Sequence, residues 1–199
     1  MKLLAKALGY CIIIIFILIA CETTSYYPKP RGFHRIVLPK HTYKPIPEEY
    51  PYLFNISQGA IILPDTSTFS EPYWIEVNYP KIKASISISY KKVLNYDSLM
   101  GYVNTSSRLT HKHNVRSSAI TDYPIITPKG YGGVISELSG DVPSYMQFWL
   151  TDSTNHFIRA ALYFPYSQKA DSLAPVIEYM KEDMFEIINS LQWREVAAQ

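Results

Sequence analysis

Cysteine is almost missing. The 199-residue chain has two, Cys11 and Cys21, both near its beginning. From Glu22 onward there is no thiol, which excludes a disulfide, a cysteine-ligated metal and a thiol nucleophile in that part of the chain. A long apolar run is missing too: the uncharged stretch from Ala7 to Ala20 has 14 residues, short of the roughly 18 or more of a membrane-spanning helix. Nor is charge of one sign in excess, with 19 basic against 17 acidic residues. The basic patch or stripe typical of nucleic-acid binding is therefore not expected, and neither is attachment through anionic lipid. No G-x-S-x-G elbow and no internal repeat occur.

What is present at the start is an address. Lys2 and Lys6 precede the apolar stretch, which ends in "LIAC", Leu18 to Cys21. A basic start, an apolar middle and a small residue before a cut point make a secretory leader, expected here over residues 1–20. "LIAC" resembles the bacterial lipobox, whose cysteine takes a diacylglyceryl group and becomes the mature N-terminus. An uncleaved anchor helix is the competing reading, but Lys6 interrupts the run it would need. With the leader gone, 17 basic residues face 17 acidic ones and the net charge is zero. Membrane attachment is then left to the acyl chains on Cys21, several being needed for stable anchoring.

Residues 21–35 read as a lipidated cysteine and tether, because Pro28 and Pro30 favour extended backbone. Fourteen tether residues would reach about 45 Å fully extended. A single domain is expected over 36–194, with a short tail at 195–199. Seventeen tyrosines and three tryptophans favour strands. "KHTYKPIPEEYPY" reads as loop or edge segment. "YWIEVNYP" sets Ile75, Val77 and Tyr79 against Trp74, Glu76 and Asn78, while "KASISISYKK" sets Ala84, Ile86, Ile88 and Tyr90 against serines. Both have the period of two of a half-buried strand, and the tight "YPKIK" between them predicts an antiparallel pair.

The spacing of Leu99, Tyr102, Val103, Leu109 and Val115 predicts a helix of about 18 residues with Asp97 in the N-cap position. Strands follow at Ile120–Ile126, "GGVISELSG", "SYMQFWLTD" and "HFIRAALYF", with hairpin turns at Gly140-Asp141 and Thr154-Asn155. Val176, Ile177, Met180, Met184, Ile187, Ile188 and Leu191 mark a terminal helix capped by Asp171 or Ser172, with Pro175 in its first turn. The predicted class is α+β, an antiparallel sheet with helices packed on it.

"YPKPRGFHRI", "WIEVNYP", "SYKKV", "LTHKHNVRSSAI", "QFWLTDSTNHFIRAALYF" and "DSLAPVIEYMKEDM" together resemble the gliding-motility lipoprotein GldD family, in the same order and over nearly the whole chain. The resemblance implies a lipoprotein needed for gliding and linked to type IX secretion, anchored in the envelope of a Gram-negative-type bacterium at the inner or outer membrane, facing the periplasm. It implies partners among motility and secretion proteins, and it brings no catalytic residue, metal or cofactor. The strand–helix order is also similar to the PsbP and Mog1 type of sandwich, an analogy of fold that licenses no function.

Candidate chemistry is sparse. "TDSTNHFIR" gathers Asp152, Ser153, His156 and Arg159, but three triad residue types on one hairpin suit turn capping better than a hydrolase. His111 and His113 sit two apart, pointing apart on a helix and sharing a face only on a strand. Arg108, Lys112, Arg116 and Lys129 form either a solvated face or a contact surface for an acidic partner. The expected binding surface is Arg108, Lys112, His113, Asp152, His156 and Arg159. A ligand-binding or hydrolytic envelope domain is the alternative, and it requires an aromatic-lined cleft with perturbed ionisable groups.

Overall fold

The computed structural model describes residues 37–164 and 170–194. The expectations for the leader, Cys21, the tether and the 195–199 tail lie outside the described residues. The alternating segments form strands as their period requires. In β5 (Ile75–Tyr79) and β6 (Ala84–Lys92) every second side chain is buried. They pair antiparallel, Ile75 opposite Ile88 and Tyr79 opposite Ala84. Preceding them are β1 (Tyr43–Pro45), β2 (Tyr52–Leu53), β3 (Asn55–Ser57) and β4 (Ile61–Pro64).

After β6 the chain crosses the sheet as a helix, α1 (Tyr96–His111), and a 3₁₀ turn (Lys112–Val115). It then returns as a meander of β7 (Ser117–Ile126), β8 (Gly132–Gly140), β9 (Ser144–Thr151) and β10 (His156–Tyr163). Strand β10 pairs back onto β6, so the large sheet has the order β4-β5-β6-β10-β9-β8-β7 with antiparallel neighbours. Proline stands on both of its edges, Pro64 in β4 and Pro124 in β7, where a missing N–H leaves no internal ladder bond unmade.

The terminal helix α2 (Ala170–Ser190) is followed by β11 (Gln192–Trp193), which pairs with β2. Val176, Ile177, Met180, Met184, Ile187 and Ile188 are buried against Ile86, Ile88, Phe148, Leu150 and Ile158 from the sheet. At roughly 1.5–3 kcal/mol for each large apolar side chain removed from water, this face is the main source of stability. The opposite face carries a smaller apolar cluster, Val93, Leu99 and Phe157 with Tyr102, Val103 and Trp149, beneath α1. The α+β class is therefore as expected, with α1 and α2 on opposite faces.

Three expectations need correction. The N-cap of α1 is Asn95, not Asp97: its Oδ1 accepts from Ser98 N–H at 2.8 Å while Ser98 Oγ accepts from Asn95 N–H at 3.1 Å. Asp97 lies in the first turn, where a carboxylate suits the helix dipole. Helix α1 is 16 residues long, because the backbone tightens into the 3₁₀ turn before Val115. Helix α2 starts at Ala170, so Asp171 and Ser172 are inside it and Pro175 falls beyond the first turn.

Candidate functional site

The six expected surface residues divide among three places: the β9–β10 turn, the space under α1 and the exposed end of α1. Alternation along β10 turns His156 to the α2 side of the sheet and Arg159 to the α1 side, since residues an odd number apart face oppositely.

At the β9–β10 turn, Asp152 Oδ1 accepts the backbone N–H groups of Thr154, Asn155 and His156 at 3.0, 2.8 and 2.9 Å. Burial alone would raise this carboxyl, but the three donors and the charge of His156 outweigh it and hold it below its ordinary value. Ser153 takes a left-handed conformation (φ 67°), and its N–H donates to Thr151 Oγ1 at 2.9 Å. The turn is thus capped by Asp152 and Thr151, where Asp152 and Ser153 were expected. His156 has its Nδ1 2.8 Å from Tyr90 Oη and its ring stacked on Trp193 at 5.0 Å. Burial first, then the charge of Asp152, pushes the Tyr90 phenol up to about 12. His156 therefore ties the hairpin to β6 and β11, while Asp152 holds the turn itself.

Under α1 the arrangement differs. Ser85, Ser87 and Ser89 put little bulk on this face of β6. Ser89 pairs with Arg159, and Lys91 with Phe157. These four, with Trp74 behind and Tyr102, Thr105, Ser106 and Leu109 of α1 above, line a mostly apolar cleft of about 80 Å³. Arg159 Nη2 donates to Oε1 of the buried Gln147, which also faces Thr110 Oγ1 at 3.0 Å. Among the described residues no carboxylate lies within ion-pair distance of Arg159. Burial pulls the Arg159 guanidinium below its usual range, partly offset by the Tyr163 hydroxyl. His113 is close enough to feel that charge: its imidazole is lowered by burial first and by Arg159 second. Lys91 is ion-paired to Glu71, its Nζ lying 5.2 Å from the Trp74 ring centre and 5.8 Å from that of Tyr102.

Arg108, Lys112 and Arg116 are exposed around the last turn of α1, beside Val115, which is 93% exposed. Lys129 does not join them. The ten residues of β7 intervene, roughly 30 Å of strand. His111 Nδ1 donates to Ser107 O, 2.9 Å away, and His113 is in the 3₁₀ turn. Among the described residues no three of His, Cys, Asp and Glu are placed to share a metal ion, and no helix is long and apolar enough to cross a membrane.

One polar cluster was not foreseen. Asp183, 1% exposed in α2, has Oδ1 2.7 Å from His41 Nδ1 and accepts from Tyr43 Oη at 3.1 Å. His41 Nε2 lies 2.8 Å from Glu182 Oε2, and its ring stacks on Tyr179 at 4.1 Å. With Asp183 at one ring nitrogen, Glu182 at the other and Tyr179 against its face, the His41 imidazole is taken up within the fold. A carboxylate at 183 on the apolar face of a helix was the available signal, since an unpaired charge is rarely buried.

These features define a class: an α+β sandwich in which His41, His156 and the buried Asp183 bind elements together, with a cationic cleft beneath a helix. The sequence profile of the family described as gliding motility lipoprotein GldD matches residues 23–193, and the chain belongs to that family. Membership carries a role in gliding motility and a lipid-anchored place in the cell envelope. No curated protein matches the chain. The fold is similar to the solution structure of cyanobacterial PsbP (CyanoP) from Synechocystis sp. PCC 6803, at 11% identity and a TM-score of 0.47, covering 78% of this chain and 95% of that one.

Proposed function

We propose that the protein serves gliding as a non-catalytic assembly component, tied to the membrane through acyl chains on Cys21 and linked to the type IX secretion machinery by binding its proteins. The observation that carries this reading is the employment of its reactive side chains. Asp152, His156, His41 and Asp183 are all engaged in holding turns, strands and helices together, which leaves recognition as the work open to the surface. The exposed end of α1 suits that work. Arg108, Lys112 and Arg116 have no carboxylate within ion-pair distance among the described residues, and exposed Val115 sits among them. Part of that charge complements the helix C-terminus; what remains fits an acidic partner surface, where arginine is a common anchor.

The test separates anchoring from folding. Cys21→Ser should abolish acylation and gliding while leaving the domain with its normal circular dichroism and thermal transition. Normal gliding by cells that make only the soluble, unacylated product would sink the anchoring role.

A further inference from the structure

We infer that the cleft between α1 and strands β6 and β10 is a binding site for a small monocarboxylate, whose head bonds to Arg159 and whose apolar body lies against Trp74, Tyr102 and Phe157. Three observations carry it. First, Arg159 is a partly buried cation without an acidic partner among the described residues. A guanidinium has five N–H donors in a planar fork, the geometry that takes a carboxylate bidentately, and the described partners are Gln147 and the neighbouring Tyr163 hydroxyl. Second, the fork is held from behind. Gln147 is 1% exposed, and its Oε1 fixes Nη2, which spares a ligand the entropy of ordering a long side chain.

Third, charge and shape choose the ligand. Lys91, the other cation at the cleft, is neutralised by Glu71, so the site offers one net positive charge and not two. That matches a carboxylate better than a phosphate, which carries about 1.5 to 2 negative charges near neutral pH. The wall is mostly apolar, with Ser89, Thr105 and Ser106 as its small hydroxyl residues. A concave, mostly apolar and aromatic wall with a few placed polar groups is the ordinary lining of a small-molecule site, and the size of this cleft restricts it to a small ligand. The cleft is distinct from the exposed tip of α1, so the inference does not depend on that surface.

Calorimetric titration of the full-length, detergent-extracted protein with benzoate, benzamide and inorganic phosphate tests the site. Benzoate should bind saturably, and benzamide and phosphate about tenfold or more weakly, because each lacks either the charge or the apolar body. Arg159→Gln should weaken benzoate by about tenfold or more. Should that variant unfold, Thr105→Trp decides: residue 105 is exposed at the cleft mouth, so the indole fills the cleft without entering the core. Its thermal transition should be unchanged and benzoate binding lost. Benzoate that fails to saturate in the millimolar range, phosphate that binds as tightly, or a folded Thr105→Trp variant with wild-type affinity would each overturn the assignment.

Discussion

His41 and Asp183 are 142 residues apart in the chain and 2.7 Å apart in space, Nδ1 to Oδ1. Through this contact the segment that follows the proline-rich stretch is fastened to the last helix. Tyr43 donates to the same oxygen, and burial followed by the Asp183 charge raises the phenols of both Tyr43 and Tyr79. Asp183→Ala should strand His41 and Tyr43 and cost about 2–3 kcal/mol, a fall in Tm of roughly 5–10 °C for a domain of this size. Asp183→Asn retains an acceptor and should lose less. Thermal unfolding followed by circular dichroism measures both, and an alanine variant as stable as wild type would remove the clasp.

Asp152 makes a prediction about acid. Its folded carboxyl is held below its ordinary value of 3.8, so the unfolded chain takes up that proton first as pH falls. The stabilisation is fully present above the unfolded value and is lost as pH drops below roughly 4 through the lowered folded value. Asp152→Ala should cost about 2 kcal/mol at neutral pH, where three backbone donors lose a charged acceptor. It should also flatten the decline of Tm between roughly pH 5 and pH 3. An acid limb of unchanged steepness would mean the carboxylate is not titrating in this way.

How much of this was legible in the sequence depends on how local each signal is. The pairing of β5 with β6 was readable because side-chain alternation and a four-residue connection are both written in consecutive residues. The apolar face of α2 was readable from the spacing of Val176 to Leu191. Strands β1, β2 and β11 were not, since they are two or three residues long and exist only because distant partners supply their ladders. The same holds for function. Asp152 announced itself as a turn residue, whereas the Arg159 cleft depends on α1 crossing β6 where serines leave room. The His41–Asp183 contact depends on a fold that no short window contains. Asp97 misled as N-cap because Asn95 and Ser98 form the reciprocal box with serine in place of the usual glutamate or glutamine.

Gly133 tests the registry of the meander. A Cβ placed there would lie 2.1 Å from the backbone oxygen of Trp149 and 2.7 Å from Leu150 Cδ2. The backbone oxygen cannot move without breaking the pairing of Gly133 with Leu150. Gly133→Ala should therefore destabilise by about 3 kcal/mol, the upper end of ordinary overpacking, whereas Gly132→Ala, whose Cβ meets nothing within 4 Å, should stay within about 0.5 kcal/mol. Chemical denaturation of the two variants side by side gives the comparison. Equal stability would mean that β8 and β9 can separate there at little cost.

The docking surface at the end of α1 is testable without disturbing the core. Arg108, Lys112 and Arg116 are exposed, so reversing all three to glutamate should change stability mainly through the helix dipole. Acidic groups at a helix C-terminus cost roughly 0.3–1 kcal/mol each, and Arg116, beyond the helix, should contribute little. If these cations meet an acidic partner, the triple variant should reach the membrane at normal abundance, melt only a few degrees lower and fail to support gliding. In-cell cross-linking from position 112 should capture motility or secretion proteins in wild type and lose them in the variant. Restoring stability with a compensating substitution elsewhere should not restore gliding, because the defect is one of contact and not of folding. Full gliding by the charge-reversed protein would move the partner surface off this helix.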